Sequence, residues 1–143
     1  MKNTFGSALC LTIFGESHGA GVGAVLDGMA AGVPVDPAAL AALMDKRRAR
    51  GDGLSTARVE ADEVRILSGV VNGRTTGTPL TLLIENRNTR SGDYAATAAL
   101  LRPGHADYTA YARYRGWQDA RGGGHFSGPV SYTHLTLPTN SRV

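Results

Sequence analysis

Three short segments of the chain each combine a histidine with glycine and with polar or basic residues. They are Gly15–Gly19 with Ser17 and His18, Arg102–Asp107 with His105, and Arg121–Ser127 with His125. Histidine exchanges a proton near neutral pH, arginine offers a planar fork to phosphate or carboxylate oxygens, and glycine-rich backbone exposes N–H groups to anions. Any one such histidine is often only a solvated turn residue. Together the three segments predict a site for a multiply charged anion with proton transfer close by.

A run of basic residues lies at the end of a predicted helix. Asp36 and Pro37 form the N-cap and first-position signal of this helix. Its carboxyl-terminal turn is crowded by Lys46, Arg47, Arg48 and Arg50. Cations at that end oppose the negative pole of the helix dipole. The run is therefore either a solvated helix end or a further set of anion ligands, and the residues leave both interpretations open.

Other chemistries fit the sequence less well. The metal-binding patterns His-Glu-x-x-His and Cys-x-x-Cys are absent, and Arg121–Gly124 lacks the Gly-x-Gly-x-x-Gly spacing of a dinucleotide fingerprint. A nucleophilic Ser17 with His18 as its base is disfavoured, because as neighbours in a strand their side chains would point apart. The net charge of +3 at pH 7 suits an anionic small molecule. Nucleic-acid binding would need a larger basic face with interleaved aromatic residues.

The composition also bears on the cellular compartment. A single cysteine, Cys10, cannot form an internal disulfide and suits a reducing cytosol. The amino terminus lacks the pattern of a secretory signal, and no apolar stretch approaches the roughly 20 residues that span a bilayer. We therefore expect a cytoplasmic protein with no membrane partner.

Strands and helices are mixed along the chain. The patterns predict strands at Ala8–Phe14, Gly23–Leu26, Val64–Leu67 and Pro79–Glu85, and further helices at Ala95–Leu101 and Ala106–Arg115. Asn72 and Gly73 form a strong hairpin signal. We expect Arg121–Gly124 to lack regular structure because it contains three consecutive glycines.

Four segments carry a resemblance to the chorismate synthase family. They are Phe14–Gly19, Thr75–Pro79, Arg102–Asp107 and Arg121–Gly124, and their order and separation are similar to those of the family's N-terminal signatures. His125–Gly128 resembles one branch of the family. The resemblance runs from about Thr4 to Gly128 and implies an α+β fold, a β-α-β sandwich in which helices pack with antiparallel sheets.

The resemblance implies a lyase of the shikimate pathway, which leads to the aromatic amino acids. Members of the family convert 5-enolpyruvylshikimate 3-phosphate to chorismate with loss of phosphate. The reaction has no net redox change, yet it requires reduced FMN, which some members reduce with NADPH. The resemblance also implies a homotetramer and an anionic small-molecule substrate.

The resemblance assigns roles to particular positions. His18 would act as an acid near the flavin, and His105 would protonate or hydrogen-bond the departing phosphate. The substrate phosphate and carboxylates would be held by Ser17, Arg47, Arg48 and Arg102. The cofactor would be contacted by Arg47, at a position matched to NADPH, and by His125, Phe126 and Ser127 at the flavin.

The chain departs from the family pattern in two places. One branch carries an arginine where Gly53 aligns, so that anion contact is either missing here or supplied by Arg50 or Arg58. After Gly128 the family continues with a basic residue and an alanine-rich helix, whereas Pro129 begins an unrelated stretch. We therefore expect residues 1–129 to be the N-terminal portion of a chorismate synthase-like domain, residues 130–143 to be a non-native tail, and the chain to be incomplete. A non-catalytic module that binds a phosphorylated ligand or flavin is the alternative function.

Overall fold

The computed structural model describes residues 2–45, 63–86 and 100–127. The chain divides into two compact units. The first unit consists of Met1–Thr12 and Ala24–Glu85, and the second consists of Ile13–Gly23 and Asn86–Val143. Within the described residues, no helix is long and apolar enough to cross a membrane.

Most of the described strands belong to one sheet. The strands are β1 (Thr4–Phe5), β2 (Cys10–Gly15), β3 (Gly21–Asp27), β4 (Val64–Ser68), β5 (Val70–Val71), β6 (Arg74–Thr75) and β7 (Leu80–Glu85). The larger sheet has the order β1-β2-β3-β7-β4, and β5 pairs with β6 in a second sheet. The pairs β1–β2, β4–β7 and β5–β6 are antiparallel. The strands predicted from the sequence are confirmed with shifted ends, while β1 was not predicted.

Strand β7 shows most clearly why these residues form a sheet. Leu80, Leu82 and Ile84 alternate along the strand and are buried, as the two-residue period of a strand requires. Its register with β4 shifts between Ile66 and Ser68, which makes Leu67 the extra residue of a β-bulge.

The turn between β5 and β6 has the hairpin conformation expected from its sequence. Asn72 and Gly73 have φ values of 50° and 71°, and positive φ at both central residues is the signature of the turn type that asparagine and glycine favour. The hairpin prediction is confirmed.

The first helix, α1, spans Pro37–Asp45. Its N-cap is the Asp36 carboxylate, whose Oδ1 accepts the backbone N–H groups of Ala38 and Ala39 at 2.8 and 3.2 Å. Met44 is buried, but Leu43 is 41% exposed, so the helix buries only part of its apolar side chains. Lys46, Arg47, Arg48, Arg50, Gly53 and Arg58 lie outside the described residues.

Two further helices, α2 (Asp107–Tyr114) and α3 (Gly124–Ser127), follow in the second unit, with a 3-10 turn at Arg121–Gly123 between them. The prediction of α2 is confirmed to within one residue at each end. Leu100 and Leu101 are not helical, and the rest of the helix predicted at Ala95–Leu101 lies outside the described residues. Arg121–Gly123 forms one short 3-10 turn, but Gly122 has a left-handed φ of 59° inside it, so this backbone is not a regular helix.

Candidate functional site

The first histidine segment forms the loop between β2 and β3. Gly15 has a φ of 105°, and a Cβ at this position would lie 2.5 Å from the carbonyl oxygen of Gly21. Only glycine permits so close an approach in this conformation. The backbone N–H of Gly19 donates to the carbonyl of Glu16 at 3.0 Å. Ser17 and His18 are therefore held in a closed turn.

The side chains of Ser17 and His18 form one hydrogen-bonded chain. Oγ of Ser17 lies 2.8 Å from Nδ1 of His18 and also donates to the carbonyl of Arg121 at 3.4 Å. Which of the two atoms donates depends on the tautomer of the imidazole, and either arrangement holds the ring against Ser17. The expectation that the two side chains point apart was wrong, because they lie in a turn and not in a strand.

The third segment packs directly against this loop. A Cβ at Gly122 would overlap the imidazole of His18 and come within 2.5 Å of Ser17 Oγ. The backbone N–H of Ser17 donates to the carbonyl of Gly124 at 3.1 Å. Nδ1 of His125 lies 2.8 Å from the carbonyl oxygen of Gly15, although the two residues are 110 positions apart. The fold thus brings Ser17, His18 and His125 together.

An ion pair fixes the start of this glycine turn. Arg121 donates from Nε and Nη2 to the two carboxylate oxygens of Asp119 at 2.9 and 2.7 Å, and from its backbone N–H at 3.0 Å. The Arg121 hydrogen bonds hold the pKa of the Asp119 carboxyl below its ordinary value, and the charge of His18 adds to this effect. Asp119 also raises the pKa of the Arg121 guanidinium. Asp119 therefore places a negative charge near His18, a role that the sequence did not indicate.

The second segment is a turn that holds Arg102 and His105. Arg102 donates from Nε and Nη2 to the Asp107 carboxylate at 2.8 and 3.0 Å. These hydrogen bonds lower the pKa of Asp107 to about 2. His105 is exposed, and its Nδ1 lies 3.4 Å from the carbonyl oxygen of Pro103. Asp107 thus accepts hydrogen bonds from part of the Arg102 guanidinium, which the family resemblance had assigned to the substrate.

Phe126 and Ser127 belong to α3. The ring of Phe126 lies 6.1 Å from that of Tyr114 and 6.2 Å from that of His125, measured between centroids. Phe126 therefore packs within an aromatic cluster beside His125. Arg47 and Arg48 lie outside the described residues, so their roles stay predictions.

Asn86 is a residue of the site that the sequence did not predict. Its side-chain amide donates to the carbonyls of Glu16, Ser17 and Gly19 at 3.2, 3.2 and 2.8 Å, and its backbone N–H donates to Ala20 at 3.1 Å. Its only sequence signal was a polar residue directly after a predicted strand.

A cavity of about 300 Å³ lies in the first unit between α1 and β4. Its walls are largely apolar and include Leu40 and Met44. Among the described residues, none of those to which the resemblance assigns catalysis, substrate or cofactor lines this cavity. The candidate functional site is therefore the arrangement around His18.

The fold and this arrangement define an α+β protein whose glycine-containing turns hold histidines beside arginines that are paired with carboxylates. The chorismate synthase family model matches residues 9–137. The chain is 43% identical over 135 residues to the chorismate synthase of Dehalococcoides mccartyi, covering 94% of this chain and 37% of that protein. It is 53% identical over 125 residues to the chorismate synthase of Campylobacter fetus, covering 87% of this chain and 35% of that protein. The chain belongs to the chorismate synthase family.

A solved structure agrees with this assignment. The crystal structure of a chorismate synthase matches 90% of this chain and 31% of its own length, with a TM-score of 0.60 and 26% sequence identity. The predicted family and α+β fold are confirmed. The chain spans 37% and 35% of the lengths of the two relatives named above. The family match extends to residue 137, whereas the segment 130–143 lies outside the described residues.

Proposed function

We propose that the protein acts in the chorismate synthase reaction, in which 5-enolpyruvylshikimate 3-phosphate loses phosphate to give chorismate in the presence of reduced FMN. The observation that carries the proposal is the convergence of the Ser17–His18 loop with the glycine turn at Arg121–Gly124. The family membership of the chain supplies the substrate. The single cysteine fits a cytoplasmic location.

His18 is assigned the role of an acid at this site. Its Nδ1 is hydrogen-bonded to Ser17 Oγ at 2.8 Å, which orients the ring for proton transfer. The nearby Asp119 carboxylate attracts the positive charge of the protonated ring, as the effect of His18 on the pKa of Asp119 indicates. A positioned histidine of this kind contributes about 10²–10⁴-fold to a proton-transfer step.

Arg102 and His105 are assigned to the phosphate that leaves. The Asp107 carboxylate orients the guanidinium of Arg102 through paired hydrogen bonds. The guanidinium is therefore already oriented before a phosphate binds. His105 is exposed, and its Nδ1 faces the carbonyl of Pro103, so Nε2 is the atom that would donate to a phosphate oxygen. Stabilising the charge that develops on a leaving group is commonly the largest catalytic contribution.

The residues around the glycine turn are assigned to the flavin. A Cβ at Gly124 would overlap the carbonyl oxygen of Asp119, so this backbone approaches its neighbours more closely than any other residue type allows. His125, Phe126 and Ser127 would hold FMN, and Arg47 would contact NADPH. Bound reduced FMN would supply transient electron donation to the substrate. His125 uses Nδ1 toward Gly15, so Nε2 is the ring nitrogen that would contact the cofactor.

The proposal is tested with the 143-residue chain under anaerobic conditions. The chain is mixed with chemically reduced FMN and 5-enolpyruvylshikimate 3-phosphate, and both inorganic phosphate and chorismate are measured. We expect equal amounts of the two products, and we expect the His18→Ala variant to lose most of this turnover. Phosphate release no faster than in a flavin-only mixture would refute the proposal.

A second candidate function is binding of a phosphorylated ligand or flavin without turnover. It is favoured by the pairing of Arg102 with Asp107 and of Arg121 with Asp119, which reduces the positive charge available to a departing phosphate. Saturable quenching of FMN fluorescence by the chain, with no phosphate released from the substrate, would support this function over the lyase.

A further inference from the structure

We infer that Asn86 is the residue that positions His18, through the backbone of the loop between β2 and β3. The inference rests on the proposed function, because it assigns a task to the acid of that reaction. Asn86 directly follows β7, and both Asn86 and the loop belong to the second unit.

The contacts of Asn86 are concentrated on this one loop. Its side-chain nitrogen lies 3.2 Å from the carbonyl oxygen of Ser17 and 2.8 Å from that of Gly19. These two carbonyls stand on either side of His18 in the chain. A third contact reaches Glu16 at 3.2 Å, and the backbone N–H of Asn86 donates to Ala20 at 3.1 Å. Each end of the loop is thus held by the same residue.

The chemistry of the contacts selects an amide at this position. All the side-chain contacts are to carbonyl oxygens, which only accept hydrogen bonds. An amide nitrogen carries two hydrogens that can be shared among these acceptors, whereas a hydroxyl carries one and a carboxylate carries none. An aspartate at position 86 would place negative oxygens against several carbonyl dipoles, in a half-buried place where repulsion is poorly screened.

The effect on His18 is indirect but geometrically defined. The loop has one further internal backbone bond, from Gly19 N–H to Glu16. The imidazole itself is held by Ser17 Oγ at 2.8 Å and lies against Gly122. If the carbonyls of Ser17 and Gly19 move, the Cα of His18 moves with them, and Nε2 leaves its position. Asn86 is therefore a positioning residue and not a catalytic one.

The test replaces Asn86 by aspartate and observes His18 directly by NMR. The imidazole resonance of His18 is identified from its loss in a His18→Gln variant. We expect Asn86→Asp to move this resonance while leaving that of His105 in place. We expect Asn86→Gln, which keeps the amide on a longer side chain, to restore the parent spectrum in part. Phosphate release should fall by up to about a hundredfold, as for a catalytic group that is misplaced by about 1 Å.

The matched control is Asn72→Asp, which makes the same chemical change at an exposed turn in the first unit. It should leave the His18 resonance unchanged. If Asn86→Asp does not fold, Asn86→Ala is measured instead, with the same expectation. A His18 resonance that stays in place in the folded Asn86 variant, or that moves equally in the Asn72 variant, would overturn the inference. The NMR measurement needs no substrate, so a parent chain without turnover would refute the proposed function alone.

Discussion

Gly122 is the glycine that packs directly against both His18 and Ser17. Its φ of 59° is in the left-handed region, and a Cβ there would overlap His18 and Ser17. We expect Gly122→Ala to lower the free energy of unfolding by about 2–4 kcal/mol, since backbone strain and overpacking act together. Urea unfolding followed by circular dichroism would measure this loss.

Gly104 offers a matched control for that change. It has a φ of 77°, but no atom lies within 4 Å of the position that a Cβ would take. Gly104→Ala therefore carries the backbone strain without the overlap, and we expect it to cost about 1–2 kcal/mol. Equal losses in the two variants would show that Gly122 is required for its conformation only, and not for close packing against His18.

The ion pair of Arg102 and Asp107 predicts a change of stability at low pH. The pKa of Asp107 is lowered to about 2 in the folded chain. A carboxyl with a depressed folded pKa stabilises the protein above its unfolded pKa, near 4, and this contribution is lost as the pH falls toward 2. Because Arg102 is 35% exposed, solvent screening limits the contribution to at most about 1 kcal/mol.

The corresponding experiment compares the parent chain with Asp107→Asn between pH 6 and pH 2. We expect the parent to be the more stable at pH 6, with the difference disappearing toward pH 2 as Asp107 is protonated. A difference that is constant across this range would mean that Asp107 acts through packing or helix capping and not through its charge.

At the scale of elements, the buried hydroxyl of Thr75 shows how the signature segment Thr75–Pro79 contributes to the fold. Thr75 is 5% exposed. Its Oγ1 donates to the carbonyl of Ala30 at 2.6 Å and accepts the backbone N–H of Val33 at 3.0 Å. In the same segment, the backbone of Thr75 pairs with Val33 and Gly32. Thr75 therefore fixes the connection that precedes α1 against β6.

We expect Thr75→Val to destabilise the chain by about 1–3 kcal/mol, because the buried partners of the hydroxyl lose a hydrogen bond while the side-chain shape is kept. Thr76→Val is the control. Thr76 is exposed, and its Oγ1 meets Thr78 Oγ1, so its loss should cost less than about 0.5 kcal/mol. Thermal unfolding of the two variants measures the difference between their melting temperatures. Similar melting temperatures would mean that the Thr75 hydroxyl is not needed for stability.

Elements with a strong local pattern were predictable from the sequence, and long-range pairings were not. The cap at Asp36, the hairpin at Asn72 and helix α2 each follow from neighbouring residues.

The resemblance directed attention to Ser17, His18 and His125, which the fold does bring together. Asn86 escaped because its partners lie 67 to 70 residues away and are backbone carbonyls, which carry no side-chain signature. The direct contact of Ser17 with His18 was not predicted because their side chains were expected to point apart as in a strand, whereas both residues lie in a turn.

At the scale of the whole molecule, the charge balance bears on ligand binding. The chain carries a net charge of +3, yet Arg65, Arg102 and Arg121 are each paired with a carboxylate. These pairs orient guanidinium groups while reducing their net attraction for anions. Binding of a phosphorylated ligand should therefore combine oriented hydrogen bonds with a long-range attraction that salt can screen.

This combination predicts that binding of FMN weakens with salt, whereas binding of riboflavin, which lacks the phosphate, does not. The Debye length falls from about 10 Å at 0.1 M salt to about 3 Å at 1 M, so only the ligand with a phosphate should lose long-range attraction. Fluorescence titrations of both flavins at these two salt concentrations measure the effect, and we expect the Kd for FMN to rise several-fold. If salt changes the two affinities equally, the phosphate makes no electrostatic contribution, and the anion-binding role of the glycine and arginine turns would have to be abandoned.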